Sequence, residues 1–301
     1  MTRISTVKLV CLLLFAVLVA APAWGQSGNY RHQVTIYDDN QGKNLSGPTG
    51  VACEGDRVVV ADSKNSRLLF YSSPDNPIVT NEIKLPRKVR PTIVQFGSGG
   101  SLLVYDSRAK EILRFNPDGK TDGKVNPANV PGNSRIIPKS FRTDGSGNIY
   151  LLDIFGRRVV ILDPTGDFKR QITFPREFGF ISDLAVDGGG RVFILDSVRS
   201  QVLSAKPEDG TFLPLSETLK DDLVYPTHME VDTKGLFYIV DEESSSVGIL
   251  RKDGSFAERL FNRGRKEGLL YYPSQICVGD GKRIVLADRD NNRVQVFKEK
   301  E

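Results

Sequence analysis

Two histidines, three cysteines and one tryptophan are the chain's whole stock of the rarer reactive side chains in 301 residues, so a catalytic reading has to rest mainly on carboxylates. His228 has Asp183 and Glu230 as the acids to weigh beside it. Strand alternation turns Glu230 to the same side as His228 and Met229 to the other. A Ser/His/Asp relay would use such a histidine as general base, but no nucleophile-elbow motif accompanies it. The expected role is a histidine bonded to water or to a neighbouring carboxylate. A catalytic zinc generally takes three protein ligands, and His228 with a distant His32 supplies too few imidazoles for a histidine-rich site. The turns Asp144-Gly145-Ser146-Gly147 and Asp187-Gly188-Gly189-Gly190 lack the alternating acids and distal glutamate of a calcium loop. No metal and no cofactor are expected.

The elements that would position these groups follow from a repeat. Short β-branched and aromatic runs end in an acid at Asp62, Asp106, Asp153, Asp196, Asp241 and Asp288, at intervals of roughly 45 residues, the mark of units that bury their apolar faces only by stacking. A glycine-containing turn precedes each run, for example Glu54-Gly55-Asp56 and Asp280-Gly281, and reads as a hairpin. Before each turn stands another strand, which begins at Pro48, Pro91, Pro138, Pro226 and Pro273, with Ile181 in the fourth repeat. A third strand follows each acid, and a fourth follows turns such as Asn116-Pro117-Asp118-Gly119. The pattern predicts an all-β, six-bladed β-propeller of four-stranded antiparallel blades. The sixth repeat runs out after three strands, at Phe297. The alternating segment from His32 to Tyr37 is therefore expected to complete blade six and close the ring, which otherwise keeps an open edge.

In a propeller the first strands line an axial channel. The residue two places after each strand start rings one mouth: Gly50, Ile93, Ser140, Asp183, His228 and Gln275. Just before that column stand Phe180, Tyr225 and Tyr272, where the first three repeats have Gly47, Arg90 and Ile137. Half of the mouth is aromatic, and aromatic side chains beside isolated polar groups anchor protein and peptide interfaces. The simpler expectation for these rings is that they roof the core between blades. Turn acids such as Glu242 are the remaining groups that could reach the channel. Cys53 and Cys277 fall on the inner strands of blades one and six, one position out of register, and so face each other across neighbouring blades. An oxidising compartment permits a disulfide between them.

The segment Asp288-Arg289-Asp290-Asn291-Asn292-Arg293-Val294-Gln295-Val296-Phe297 resembles the NHL repeat, and Asp62-Ser63-Lys64-Asn65-Ser66-Arg67 is the next closest copy. The glycine-rich connector from Arg263 to Gly268 leading to Tyr272-Pro273 is similar to that family's insertion. Glu111, Gln201 and Ser246 replace the arginine in the second, fourth and fifth repeats, so the turns need not all do the same work. Read as exposed ion pairs, Asp62–Arg67, Asp153–Arg158 and Asp288–Arg293 would contribute only about 0.2–1 kcal/mol each. The six acids are therefore assigned to shaping their turns.

Arg3 and Lys8 precede an uncharged apolar run over residues 9–20, short of the roughly 20 residues that span a bilayer. Residues 1–25 read as a secretory signal peptide and 26–301 as one propeller domain, exported to a periplasmic or extracellular setting as a monomer with no membrane span. The net charge of +4 shrinks further when the signal's cations go, so charge alone predicts no nucleic-acid partner. The expected function is a non-catalytic platform that presents a propeller face to a protein partner. The alternatives are a metal-dependent lactonase or lyase of the same fold, and peptide or carbohydrate binding at the channel mouth.

Overall fold

A computed structural model describes residues 29–72, 75–132, 136–279 and 283–300; the expected signal peptide lies outside these residues. Six four-stranded antiparallel sheets form the blades. Their innermost strands are Pro48–Glu54, Pro91–Phe96, Ser140–Thr143, Ile181–Val186, Pro226–Val231 and Ile276–Gly279. Each of these packs on the next around a common axis, and the sixth packs on the first. Helix among the described residues is limited to three single 3₁₀ turns.

The second strand of each blade is apolar without alternation, as in Val192–Asp196, because both its faces are covered by neighbouring blades; all five of its residues are buried. An apolar cluster fills each of the six blade interfaces. The interface of blades six and one joins Val285 and Val294 to Val51 and Val60. Closure comes from Tyr30–Ile36, which pairs antiparallel with Arg293–Glu299, setting Val34 opposite Val296 and Ile36 opposite Val294. The closing strand thus starts two residues earlier than expected and ends one earlier, at Ile36.

Two inner strands also start later than their prolines, at Ser140 and Ile276. Proline has no N–H to give to the ladder and sits at strand margins. In blades one, two, four and five the ladder breaks register between the strand's first residue and the column residue: Pro48/Gly50, Pro91/Ile93, Ile181/Asp183 and Pro226/His228. Such bulges insert one extra residue and re-aim the next side chain. In blades four and five that side chain is Asp183 or His228.

Candidate functional site

The six recurring acids are buried, Asp106 being the most exposed at 4%. All but Asp153 reach back to the loop that enters the same blade. Asp62 accepts from the Ser46 N–H at 2.7 Å, Asp106 from Arg90 at 3.0 Å and Asp288 from Tyr271 at 2.7 Å. Asp196 takes the N–H groups of Gly179 and Phe180 at 2.6 and 3.1 Å, and Asp241 those of Val224 and Tyr225 at 2.7 and 2.9 Å. Asp153 accepts from Gly156 inside its own turn at 3.0 Å. These acids therefore fix the backbone on which the aromatic residues of the mouth are mounted.

The ion pairs correct the expectation of exposure. Arg67 Nε meets Asp62 at 2.7 Å and Arg293 Nε meets Asp288 at 2.7 Å, with every side chain at most 3% exposed; Arg158 and Asp153 pair at 3.1 Å. The entry loops cover them: Arg67 Nη2 donates to the Lys43 carbonyl and Arg293 Nη2 to the Lys266 and Leu269 carbonyls. Removing one partner from a buried pair costs about 3–5 kcal/mol, several times the value of a surface pair.

Along the axis the column residues divide. Ser140, Asp183 and His228 come together and are joined by two side chains from one step further along their strands, Arg142 and Glu230. Asp183 is the hub. Its Oδ1 accepts from Ser140 Oγ at 2.5 Å. Its Oδ2 faces Arg142 Nη2 and His228 Nδ1, both at 2.8 Å, and the Met229 N–H at 2.9 Å. Burial alone would raise the Asp183 carboxyl, but the charges of Arg142 and His228 and the Ser140 hydroxyl outweigh it and hold the group well below the usual carboxylate range. The other nitrogen of His228, Nε2, lies 3.2 Å from the Ile276 carbonyl. Both ring nitrogens are thus turned to protein oxygens, and the Arg142 guanidinium lies against the ring, 3.3 and 3.4 Å from them.

Glu230 stands on the far side of Arg142, its Oε2 3.8 Å from Nε. Burial raises its carboxyl, with Arg142 and His228 pulling the other way. It opens on a cavity of about 360 Å³ at the glycine-turn end of the channel, lined also by Gln95, Thr143 and Asp144. No group of three His, Cys, Asp or Glu side chains among the described residues could hold a metal ion.

The rest of the column stays apart from this cluster. Gln275 Oε1 accepts from the Val51 N–H at 3.2 Å, and Gly50 leaves the room: a Cβ there would lie 2.9 Å from the Thr92 carbonyl and 3.1 Å from Gln275. Ile93 packs into the interface of blades two and three. Glu242 bonds Arg289 of the neighbouring turn at 2.9 Å instead of entering the channel.

Phe180 and Tyr225 are exposed on the face that carries the aspartate turns, at 38% and 40%. Tyr272 is half-buried, edge-on to Tyr271, with the Arg263 guanidinium 4.8 Å from its ring centre. Sequence reasoning missed three further members of this apolar set: Phe155, Val198 and Val224, at 74%, 55% and 64% exposure. Phe155 and Val198 lie two residues after their acids, a register that the strand-start column did not sample. Arg142 was missed for a related reason. It lies two residues beyond Ser140 and so on the same side, a signal available from alternation.

Cys53 and Cys277 are bonded in the structure across Cα atoms 5.9 Å apart, joining the inner strands of blades one and six.

The NHL repeat model matches residues 270–297, which run from the entry loop of blade six through its third strand. The chain carries an NHL repeat. In that NHL segment the acid is followed by a 3₁₀ turn, Arg289–Asn291, closed by Asn292 in the left-handed region, and blade one repeats it with Ser63–Asn65 and Ser66. No curated protein matches the chain. Among solved structures, the fold is similar to virginiamycin B lyase from Staphylococcus aureus, at 13% identity over 89% of this chain and 99% of that one, with a TM-score of 0.62. It is also similar to a gluconolactonase from Xanthomonas campestris, at 14% identity over 91% of each chain and a TM-score of 0.66. At that identity the likeness is one of fold, and fold does not carry function.

Proposed function

We propose that this protein is an exported, non-catalytic propeller whose aspartate-turn face docks a protein partner. One observation carries the reading: Phe155, Phe180, Val198, Val224 and Tyr225, from blades three to five, are exposed on that one face, where scattered single apolar residues would need no explanation. Beneath them the channel's charges are spent on each other. Asp183 accepts four donors and His228 turns both nitrogens to oxygens, so neither is presented to a substrate. The neighbouring folds include a lyase and a gluconolactonase, and the test must therefore separate docking from turnover.

Affinity capture from the native source with the unaltered protein and with Phe155→Ser/Tyr225→Ser, combined with metal analysis and a lactone panel on the same preparation, does this. The expected result is a partner retained by the first and lost by the second at unchanged melting temperature, with no lactone turnover. Stoichiometric divalent metal together with turnover would replace this reading with the hydrolase or lyase.

A further inference from the structure

The small net charge conceals a segregation. On the aspartate-turn face, the entry loops and turns of blades one to four expose cations, among them Arg87, Lys88, Arg108, Lys110, Lys139 and Arg176. Glu177 is the exposed acid among them, and Arg199 sits 3.5 Å from it. Of the recurring aspartates of these blades, Asp62 and Asp153 are paired with the buried Arg67 and Arg158, and Asp106 and Asp196 lie buried below the surface on backbone N–H groups, so the groups presented at the surface are the cations. In blade five the sign changes: Glu217, Asp221 and Glu243 are exposed in the entry loop and turn against the single exposed cation Lys220, while the entry loop of blade six exposes Arg263, Arg265 and Lys266 beside Glu267. The apolar set runs over blades three to five, across the change of sign. Lys139 of blade three stands 6.0 Å from the Phe180 ring of blade four, and Arg157 lies 4.8 Å from Phe178.

From this arrangement we propose that the face binds an acidic polypeptide segment carrying apolar anchors, its carboxylates over blades one to four and its anchors at Phe155, Phe180 and Tyr225. This rests on the docking reading above and adds the partner's chemistry. Charge complementarity selects the occupant: clustered cations steer an acidic chain to the face and disfavour a basic one, while the apolar side chains supply the desolvated contact that holds it. A bilayer with anionic headgroups is a poorer match. It is a single negative plane, and meeting blades one to four would press Asp221 and Glu243 of blade five against like charge. A flexible segment can follow the cationic arc and leave that sector uncovered.

Panning the intact protein with a library of short random peptides tests this without a known partner. Selected sequences are expected to be rich in Asp and Glu around one or two aromatic or leucine residues. The affinity of a selected peptide, read by fluorescence anisotropy, is expected to fall about tenfold or more, roughly 1.4 kcal/mol, in Lys88→Glu/Lys139→Glu/Arg176→Glu and to weaken with added salt. Ile78→Ser, on the outer strand of blade one, is expected to leave it unchanged. Enrichment of neutral or basic peptides, or of none, overturns the proposal. So does stronger binding to phosphatidylglycerol vesicles or single-stranded DNA than to any selected peptide, or self-association in light scattering that occupies the face. Peptide binding lost in Phe155→Ser/Tyr225→Ser but untouched by charge reversal would reject the acidic partner and keep the docking face. Binding moved by neither set would remove both.

Discussion

Asp183 draws together strands from three blades: its carboxylate takes Ser140 and Arg142 from blade three and His228 and Met229 from blade five. Asp183→Asn keeps the shape but removes the charge, leaving Arg142 buried without its anion, so it is expected to lower unfolding free energy by about 3–5 kcal/mol in a urea titration at neutral pH. Acid should narrow that difference. The folded Asp183 carboxyl is held below its unfolded value of 3.8, so the unfolded chain takes up a proton that the folded chain refuses. The stability it contributes is fully present above that value and lost as pH falls from there through the lower folded value. The unaltered protein should therefore lose more stability than Asp183→Asn below about pH 4; parallel acid curves would show that the carboxylate is not held as described. Glu230 has the opposite sign. Its folded carboxyl is raised above 4.5, so the folded state keeps a proton that the unfolded chain releases, and stability is lost as pH rises through the folded value. Glu230→Gln should remove that loss, giving a higher urea midpoint at pH 7 and no gain near pH 4. An unchanged midpoint at both would place Glu230 in ordinary solvent.

At the level of the blade, the turn after each acid contains a conformation that sequence reading did not anticipate. The fourth residue after every recurring aspartate, namely Ser66, Lys110, Arg157, Ser200, Ser245 and Asn292, has φ between 47° and 58°, and none is glycine. Left-handed backbone costs an L-residue roughly 1–2 kcal/mol, and glycine occupies it freely at an entropic cost of about 0.5–1 kcal/mol. Lys110→Gly should therefore raise stability by up to about 1 kcal/mol in chemical denaturation, and a loss would mean that the lysine side chain holds the turn in some other way. Blade number, strand order and the acid column were legible in the chain because each blade is one supersecondary unit and repeats its hairpin signals locally. The bulges at Pro91/Ile93 and Pro226/His228 were not, since register is a property of paired strands. Nor was the burial of Arg67, whose cover, Asp39 and the Lys43 carbonyl, comes from a loop more than twenty residues upstream. The candidate site was half legible: Ser140, Asp183 and His228 follow from the repeat, whereas Arg142 required carrying the alternation one step further down the same strand.

The ring as a whole has one seam, where blade six combines the two ends of the chain and meets blade one, and two features span it. Tyr30–Ile36 completes the outer edge of blade six, sending Tyr30 into the cluster between blades five and six and Ile36 into that between six and one. The Cys53–Cys277 bond ties the inner edges of blades six and one, at a sequence separation of 224. Deleting residues 30–36 should expose the edge of Arg293–Glu299 and empty part of both clusters, lowering the melting temperature sharply and promoting aggregation through the unpaired strand. The disulfide acts differently, chiefly by restricting the unfolded chain; a loop of this length is worth on the order of 5 kcal/mol in the chain-entropy account. Cys53→Ser/Cys277→Ser should therefore lower the denaturation midpoint while leaving the folded spectrum unchanged, whereas the strand deletion should alter both. Alkylation before and after reduction, read by peptide mass, decides whether the bond forms: both cysteines should be labelled only after reduction. Labelling of either one beforehand would mean that no covalent tie spans the seam, and the cysteine variant should then unfold at the same midpoint as the unaltered protein.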